Sequence, residues 1–434
     1  MTAPACRKPF VGWIVFAGTC AGAALLGLAV ASVVQRRAET VLLQKVMTPV
    51  GAEEPDSTAW GSNFPREYER HMLTLKSDRP TKYSGSVPFS HLERDPLLKT
   101  LFAGYPFSVE YNDDRGHARA LEDVRKTARI DPKRGGKLVP GTCMTCKSSD
   151  VPRLMQQMGT AEFYQSTFAE IDAKVSHSIG CTDCHDSSTM KLRISRPALR
   201  EALAAQGRDP DAIPHQEMRS LVCAQCHSEY YFKDGTYLTF PWKHGTTIEA
   251  MEKFYEEIDF ADWTHPTSGA RMVKMQHPDY EMYLTGVHAY RGVACADCHM
   301  PYRSEGGVKF TDHHVASPLA KAASSCAVCH RWSEAEITAR VESIQDKTHE
   351  QLQRAEAALV AAHEEIGAAA AAGAAGPAID TARDLVRRAQ MRWDYVAANN
   401  GMGFHSPQEA GRILSSAIDL AHQARLAVVK NDER

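Results

Sequence analysis

Ten of the twelve cysteines in this 434-residue chain stand in five C-x-x-C pairs, and the residue after each pair decides what the pair is for. The pairs are Cys143-Met-Thr-Cys146-Lys147, Cys181-Thr-Asp-Cys184-His185, Cys223-Ala-Gln-Cys226-His227, Cys295-Ala-Asp-Cys298-His299 and Cys326-Ala-Val-Cys329-His330. C-x-x-C-H is the attachment site of c-type haem: two thiols form thioethers with the porphyrin and the adjacent imidazole binds iron. Zinc ribbons would pair such units two by two and would have no use for a His after each. A thioredoxin-like redox site uses one such pair, not five. Intervals of 38, 42, 72 and 31 residues between successive first cysteines exclude a regular solenoid, so the haems form a compact array in one irregular domain.

The first pair ends in Lys147 where the others end in His. A deprotonated lysine amine is a nitrogen donor whose electronics differ from those of imidazole, and axial-ligand identity is a main lever on haem reactivity. A carrier haem has both axial positions filled, whereas a catalytic one keeps a position open. Lys147 therefore marks the reactive haem, and four His-ligated haems pass it electrons. Nineteen histidines leave fifteen once the four motif imidazoles are set aside, more than the four needed as second ligands.

Four C-x-x-C-H sites after one C-x-x-C-K site make the chain resemble the pentahaem cytochrome c nitrite reductases, the ammonium-forming enzymes of the bacterial periplasm. Gly104-Tyr105-Pro106-Phe107, Arg115-Gly116-His117, Glu229-Tyr230-Tyr231-Phe232 and Lys274-Met275-Gln276-His277-Pro278 carry the resemblance further. It implies five haem c groups, one Lys-ligated and four bis-His, and six-electron reduction of nitrite to ammonium. It also implies a distal trio of Arg129, Tyr230 and His277 opposite Lys147, with Arg125 as the second choice for the arginine. Arg129 would supply permanent charge and donors to the nitrite oxygens, His277 protons near neutral pH, and Tyr230 a third donor.

The resemblance also implies one calcium ion, held by Glu229, the carbonyls of Tyr230 and Lys274, and the Gln276 side chain, a hard-oxygen set. Distal ligands carried over in the same way are His117 for the third haem, His288 for the fifth, His313 for the second, with His314 competing, and His405 for the fourth. His177 matches no ligand and is left as a structural or surface His. Implied partners are a homodimer mate and, as electron donor, either a quinol-oxidising membrane multihaem cytochrome or a soluble one. The rival readings are a multihaem electron carrier without a substrate site, and a reductase of the same architecture acting on hydroxylamine, nitric oxide or sulfite.

The elements that must position these groups read as follows. Residues 1–37 hold an uncharged run from Phe10 to Val34, preceded by Arg7 and Lys8 and followed by Arg36 and Arg37, long enough for a membrane anchor. Ala29-Val30-Ala31 fits a cleaved secretory signal as the alternative. Either way the bulk of the chain is exported, which agrees with haem c and a periplasmic location. Cys6 and Cys20 lack C-x-x-C partners and are assigned no chemistry. Residues 38–62 read as a tether, 63–332 as the pentahaem domain, and 333–434 as long dimerisation helices that contribute one haem ligand, His405.

In that last region, helical spacing runs from Trp332 to about Ala368, an Ala-Gly break precedes Pro377, and Ser406-Pro407-Gln408-Glu409 announces a third helix. The fold is mainly α, an irregular multihaem cytochrome c domain with little β signal. With 50 Lys plus Arg against 53 Asp plus Glu the net charge is −3, which excludes nucleic-acid binding by bulk positive charge. A content of 43% hydrophobic and 24% charged residues excludes whole-chain disorder.

Overall fold

The computed structural model describes residues 10–43, 48–76, 79–83, 85–134 and 136–429. The chain divides into two compact units, Met1–Pro49 with Glu305–Val308, and Val50–Ser304 with Lys309–Arg434. Cys6, Arg7 and Lys8 lie outside the described residues.

In the first unit a single helix runs over Phe10–Leu43, with no Pro to break it. Its span Phe10–Arg37, 28 residues, is long and apolar enough to cross a membrane, about 42 Å at 1.5 Å per residue. The Thr19 hydroxyl is satisfied by the Val15 carbonyl at 2.8 Å, as a helix without water around it requires.

Of the tether expected over 38–62, residues 44–47 lie outside the described residues. The helix continues to Leu43, and the packed body starts near residue 50 rather than at Asn63. Asp56 caps the short helix Ser57–Gly61, accepting from Thr58 N at 2.8 Å. Trp60 is 1% exposed and donates to the Glu54 carbonyl at 3.0 Å, and Glu53 holds Arg193 through two bonds of 2.6 and 2.5 Å. The segment shows no apolar period because caps and an ion pair fasten it, not a helix face.

The body is built of short helices and 3-10 turns joined by loops, with three two-stranded ribbons. Tyr231–Lys233 pairs antiparallel with Tyr237–Thr239, Tyr231 opposite Thr239, and Trp263–Thr264 pairs with Arg271–Met272. Tyr302–Glu305 and Val308–Thr311 make the third ribbon. The second and fourth cysteine motifs lie on single helical turns, Cys181–Cys184 and Cys295–His299, and the first begins on the turn Gly141–Met144. A helical turn puts residues i and i+3 on one side, so in the second and fourth motifs the two thiols face one way with the ligand residue next to them.

Three long helices close the chain, Glu334–Ala371, Pro377–Ala397 and Pro407–Val429. The first is opened by a Ser333/Glu336 capping box and buries Ile337, Val341, Leu352, Leu359 and Ile366 along one stripe. The second follows Gly376 at φ +78°, with Pro377 in its first turn. This second helix packs into the body through buried polar ties: Arg392 on Glu252 at 2.5 and 2.8 Å, Gln390 on the Leu101 carbonyl at 2.8 Å, and Lys274 on Asp394 at 2.8 Å.

Candidate active site

Lys147 follows the 3-10 turn of the first motif, and its ammonium pairs with Asp114. Burial opposes that charge, but Asp114 outweighs it and holds the amine above its ordinary value. Arg129 rides on a second 3-10 turn, Ala128–Ile130, whose free N–H groups are taken by Glu110, with Arg129 N at 3.2 Å. Its guanidinium lies 4.6 Å over the Phe107 ring, and its charge acts on Lys147, Asp114 and Cys143. Arg125 points elsewhere, to Asp172 at 2.7 Å and the Val175 carbonyl at 3.0 Å, which supports Arg129 as the pocket arginine.

Tyr230 is buried against the first motif. Burial drives its hydroxyl well above the ordinary value, and the Cys143 and Cys146 thiols add to the shift. His277 keeps a buried Nδ1 without a hydrogen-bond partner among the described residues. Burial pushes this imidazole down to about 4, His227 adds to the effect, and Lys147 and Asp114 also act on it. Burial thus favours the neutral form of His277 at pH 7, with one N–H to give.

The motif histidines stand opposite the partners carried over from the resemblance. Ring centroids are 6.2 Å apart for His185 and His313, 6.4 Å for His299 and His405, and 6.3 Å for His288 and His330. A metal–nitrogen bond of about 2 Å on each side, plus roughly 1.1 Å from nitrogen to ring centre, puts two imidazoles sharing one metal about 6.3 Å apart. His227 acts on the buried His117 more than any other charged group does, and its ring also lies 6.1 Å from His277.

The outer nitrogens of four of these imidazoles are engaged, while His405 Nδ1 has no partner among the described residues. Nδ1 of His185, His299 and His313 meets the carbonyls of Met190, Ala316 and Thr311 at 2.9, 3.2 and 2.7 Å, and Nδ1 of His227 meets Asp279 at 3.3 Å. Such bonds fix the tautomer and leave Nε2 for a metal. His314 instead gives its backbone N–H to Asp312 at 3.0 Å. His177 bonds Asp150 at 3.1 Å, a structural role. No disulfide joins the eleven cysteines among the described residues.

The motifs also follow one another in space. The Cys146 and Cys226 thiols act on each other's ionisation, as do those of Cys223 and Cys295. Cys184 feels Cys226, and Cys298 feels Cys326. The first motif therefore adjoins the third, the third adjoins the second and fourth, and the fourth adjoins the fifth. Gly286 makes part of this possible, because any Cβ there would meet the His405 carbonyl at 2.0 Å.

Behind Tyr230 and His277 lies a buried acidic patch. Glu229, 0% exposed, accepts from Gln276 N at 2.6 Å and from the Tyr255 hydroxyl at 3.3 Å. Gln276 turns its side-chain amide to the Lys274 carbonyl at 3.4 Å. Burial drives Glu229 well above the carboxylate range, with Glu281 adding to it, and burial pushes Glu281 to about 8 and Asp262 to about 7. Glu281 Oε2 has no partner among the described residues. Acids this short of positive charge, with Glu229, Gln276 and the Lys274 carbonyl converging, fit a hard divalent cation.

Lys274 ties the patch to the pocket. Its ammonium lies 4.9 Å from the face of Phe107, the ring that carries Arg129. Asp114, Asp279, Glu281, Asp262 and Asp394 were not singled out in the sequence. Asp114 directly precedes the Arg115-Gly116-His117 match and Asp279 directly follows the Lys274–Pro278 run, and those neighbourhoods are the available signal; the other three carry none.

The chain matches the family model of cytochrome c552 over residues 56–432. It is 48% identical over 429 residues to cytochrome c-552 of Bacteroides fragilis, covering 98% of this chain and 87% of that one. With cytochrome c-552 of Parabacteroides distasonis it shares 47% over 431 residues, 98% and 86% of the two chains. The cytochrome c nitrite reductase of Desulfovibrio desulfuricans, whose catalytic subunit is described with two calcium sites, superposes with a TM-score of 0.82 at 34% identity, covering 88% of this chain and 87% of that one. The chain belongs to the cytochrome c552 family of cytochrome c nitrite reductases, and is an oxidoreductase.

Proposed function

We propose that the protein reduces nitrite to ammonium, NO2− + 8 H+ + 6 e− → NH4+ + 2 H2O, at a haem c held by Cys143 and Cys146 with Lys147 as the iron ligand. The observation that carries this reading is the convergence of Arg129, Tyr230 and His277 on the one motif that ends in Lys, while His185, His299 and His330 each face an imidazole partner. That haem, when bound, supplies an iron with an open position for a small ligand.

Arg129, braced on Phe107, receives the anion and donates to its oxygens. Tyr230 adds a second donor. His277, neutral in the buried pocket, donates one N–H, and the negative charge of bound nitrite raises its affinity for a proton, so it reloads between transfers. The imidazole pairs His185/His313, His227/His117, His299/His405 and His330/His288 would hold the other four haems, which would supply the electron path. Glu229, Gln276 and the Tyr230 and Lys274 carbonyls hold one calcium ion that fixes the segments bearing Tyr230 and His277.

The apolar N-terminal helix supports export to the periplasm, as a retained anchor or as a cleaved signal. A retained anchor favours a quinol-oxidising membrane multihaem cytochrome as donor over a soluble one. The C-terminal helices make a homodimer. The reading is tested by electron paramagnetic resonance of the haem-loaded protein. One high-spin haem per chain that changes on adding nitrite supports it, and low-spin iron throughout, indifferent to nitrite, leaves an electron carrier.

A further inference from the structure

Away from the pocket, the loop Thr311–Ser317 carries a concentration of positive charge. Asp312, 0% exposed, is gripped by Arg70 at 2.9 and 3.0 Å, with Arg303 and Lys321 each at 3.7 Å. Lys321 also donates to the His314 carbonyl at 2.6 Å. Beside this knot opens a small cleft lined by Lys76, Arg79 and His314, and by Arg115, whose guanidinium is paired with Asp123 and Glu122; no carboxylate among the described residues lines it. Arg79 is anchored to the Ala320 carbonyl at 3.3 Å. A concavity lined by one sign of charge concentrates the opposite sign.

The borders of the cleft say which anion. Ala316, in its wall, accepts from Nδ1 of His299 at 3.2 Å, and His313, next to His314, faces His185. Thr74, also in the wall, accepts from Ala118 N at 3.2 Å, beside His117. Arg115 precedes His117 by two residues, across Gly116 at φ +112°, a backbone angle that favours glycine. Segments bearing ligands of the second, third and fourth haems thus meet at one basic cleft.

We propose that this cleft is a carboxylate-binding hub for the propionates of those haems, with Lys76 and Arg79 as its principal cations; the proposal rests on the pentahaem reading above. Positive charge at a haem edge favours the reduced iron, so the hub raises the midpoint potential of the bis-imidazole haems it serves and makes them a sink on the way to the Lys147 haem.

The test uses the haem-loaded protein, wild type against Lys76→Gln, Lys76→Gln/Arg79→Gln and Arg79→Lys. Haem is counted first by the pyridine haemochrome, and a wild type with fewer than five haems overturns the pentahaem reading itself. Midpoint potentials then come from optical redox titration with and without sulfate. The hub predicts that one or more low-spin haems shift to lower potential in Lys76→Gln and further in the double variant. It also predicts that Arg79→Lys keeps the wild-type value and that sulfate leaves wild type unmoved. Unchanged potentials in the Gln variants overturn the proposal. So does a wild type whose potentials fall with sulfate while the Gln variants are indifferent, because the cleft would then be a site for free anions. Should the double variant fail to load haem, Lys76→Gln alone decides.

Discussion

Replacing Lys274 by Met removes the one ammonium buried in the acidic patch. Lys274 and Asp394 are both 0% exposed and 2.8 Å apart, and Asp394 keeps only the Met275 N–H, also at 2.8 Å. Burial works against the Lys274 charge, yet Asp394 outweighs it and holds the amine above its ordinary value. Breaking such a pair from one side costs about 3–5 kcal/mol, because the remaining charge is stranded. Asp394 then folds protonated. Its pKa in the folded protein exceeds that of the unfolded chain, so stability is greatest below about pH 4 and falls by about 1.4 kcal/mol per pH unit as pH rises towards the folded value.

The double variant Lys274→Met/Asp394→Asn has no carboxylate to strand. It should lack that slope and recover about 2 kcal/mol or more, a coupling that a double-mutant cycle isolates. The assay is guanidinium unfolding of the haem-loaded protein between pH 5 and 8, followed by circular dichroism. A second readout follows from the ring stack: the Lys274 ammonium braces the face of Phe107 on which Arg129 lies. Losing about 1.4 kcal/mol of that support raises the KM for nitrite roughly tenfold. Single and double variants of equal stability, with no difference in pH slope, would refute the ion-pair reasoning.

Three further outcomes are expected. Arg129→Ala removes charge-assisted donors to nitrite worth about 1.5–3 kcal/mol, so kcat/KM falls roughly 10- to 150-fold, while Arg125→Ala, whose partners are Asp172 and Val175, stays within about twofold of wild type in steady-state assays. Glu229→Gln removes the only carboxylate of the proposed calcium set, and elemental analysis of the dialysed protein should show bound calcium lost while haem is kept; full calcium retention would contradict the assignment. His363, buried and stacked at 3.8 Å on His265, is pushed down to about 3 by burial, with His265 adding to the shift. Its folded pKa lies below the unfolded value near 6.5. Its stabilising contribution is therefore present above about pH 6.5 and lost by up to about 1.4 kcal/mol per unit as pH falls towards 3, and His363→Gln should flatten that acid limb in pH-dependent unfolding.

What was legible in the sequence was whatever is encoded locally. Haem attachment needs two thiols and a ligand within five residues, so the five motifs can be read directly. The C-terminal helices announce themselves through Pro377, Ser406-Pro407 and a sustained apolar stripe, and they end within a few residues of expectation. Pairs such as His185 with His313 join residues far apart in the chain that no periodicity connects, and only the resemblance to a known family suggested them. The start of the body escaped because Glu53, Asp56 and Trp60 are held by Arg193, a cap and a carbonyl rather than by a helix face. Asp279 and Glu281 look like the polar first turn of a short helix, and their burial against His227 and Glu229 exists only in three dimensions.

The central claim is that one buried pocket at the Lys147 motif carries nitrite all the way to ammonium. The direct measurement is nitrite-dependent oxidation of a reduced viologen dye by the haem-loaded protein, with electrons and ammonium counted together, for wild type and His277→Ala. About one ammonium per six electrons, falling at least tenfold in rate in His277→Ala with all haems retained, is the predicted result. Full haem incorporation with no nitrite consumed by wild type would contradict it.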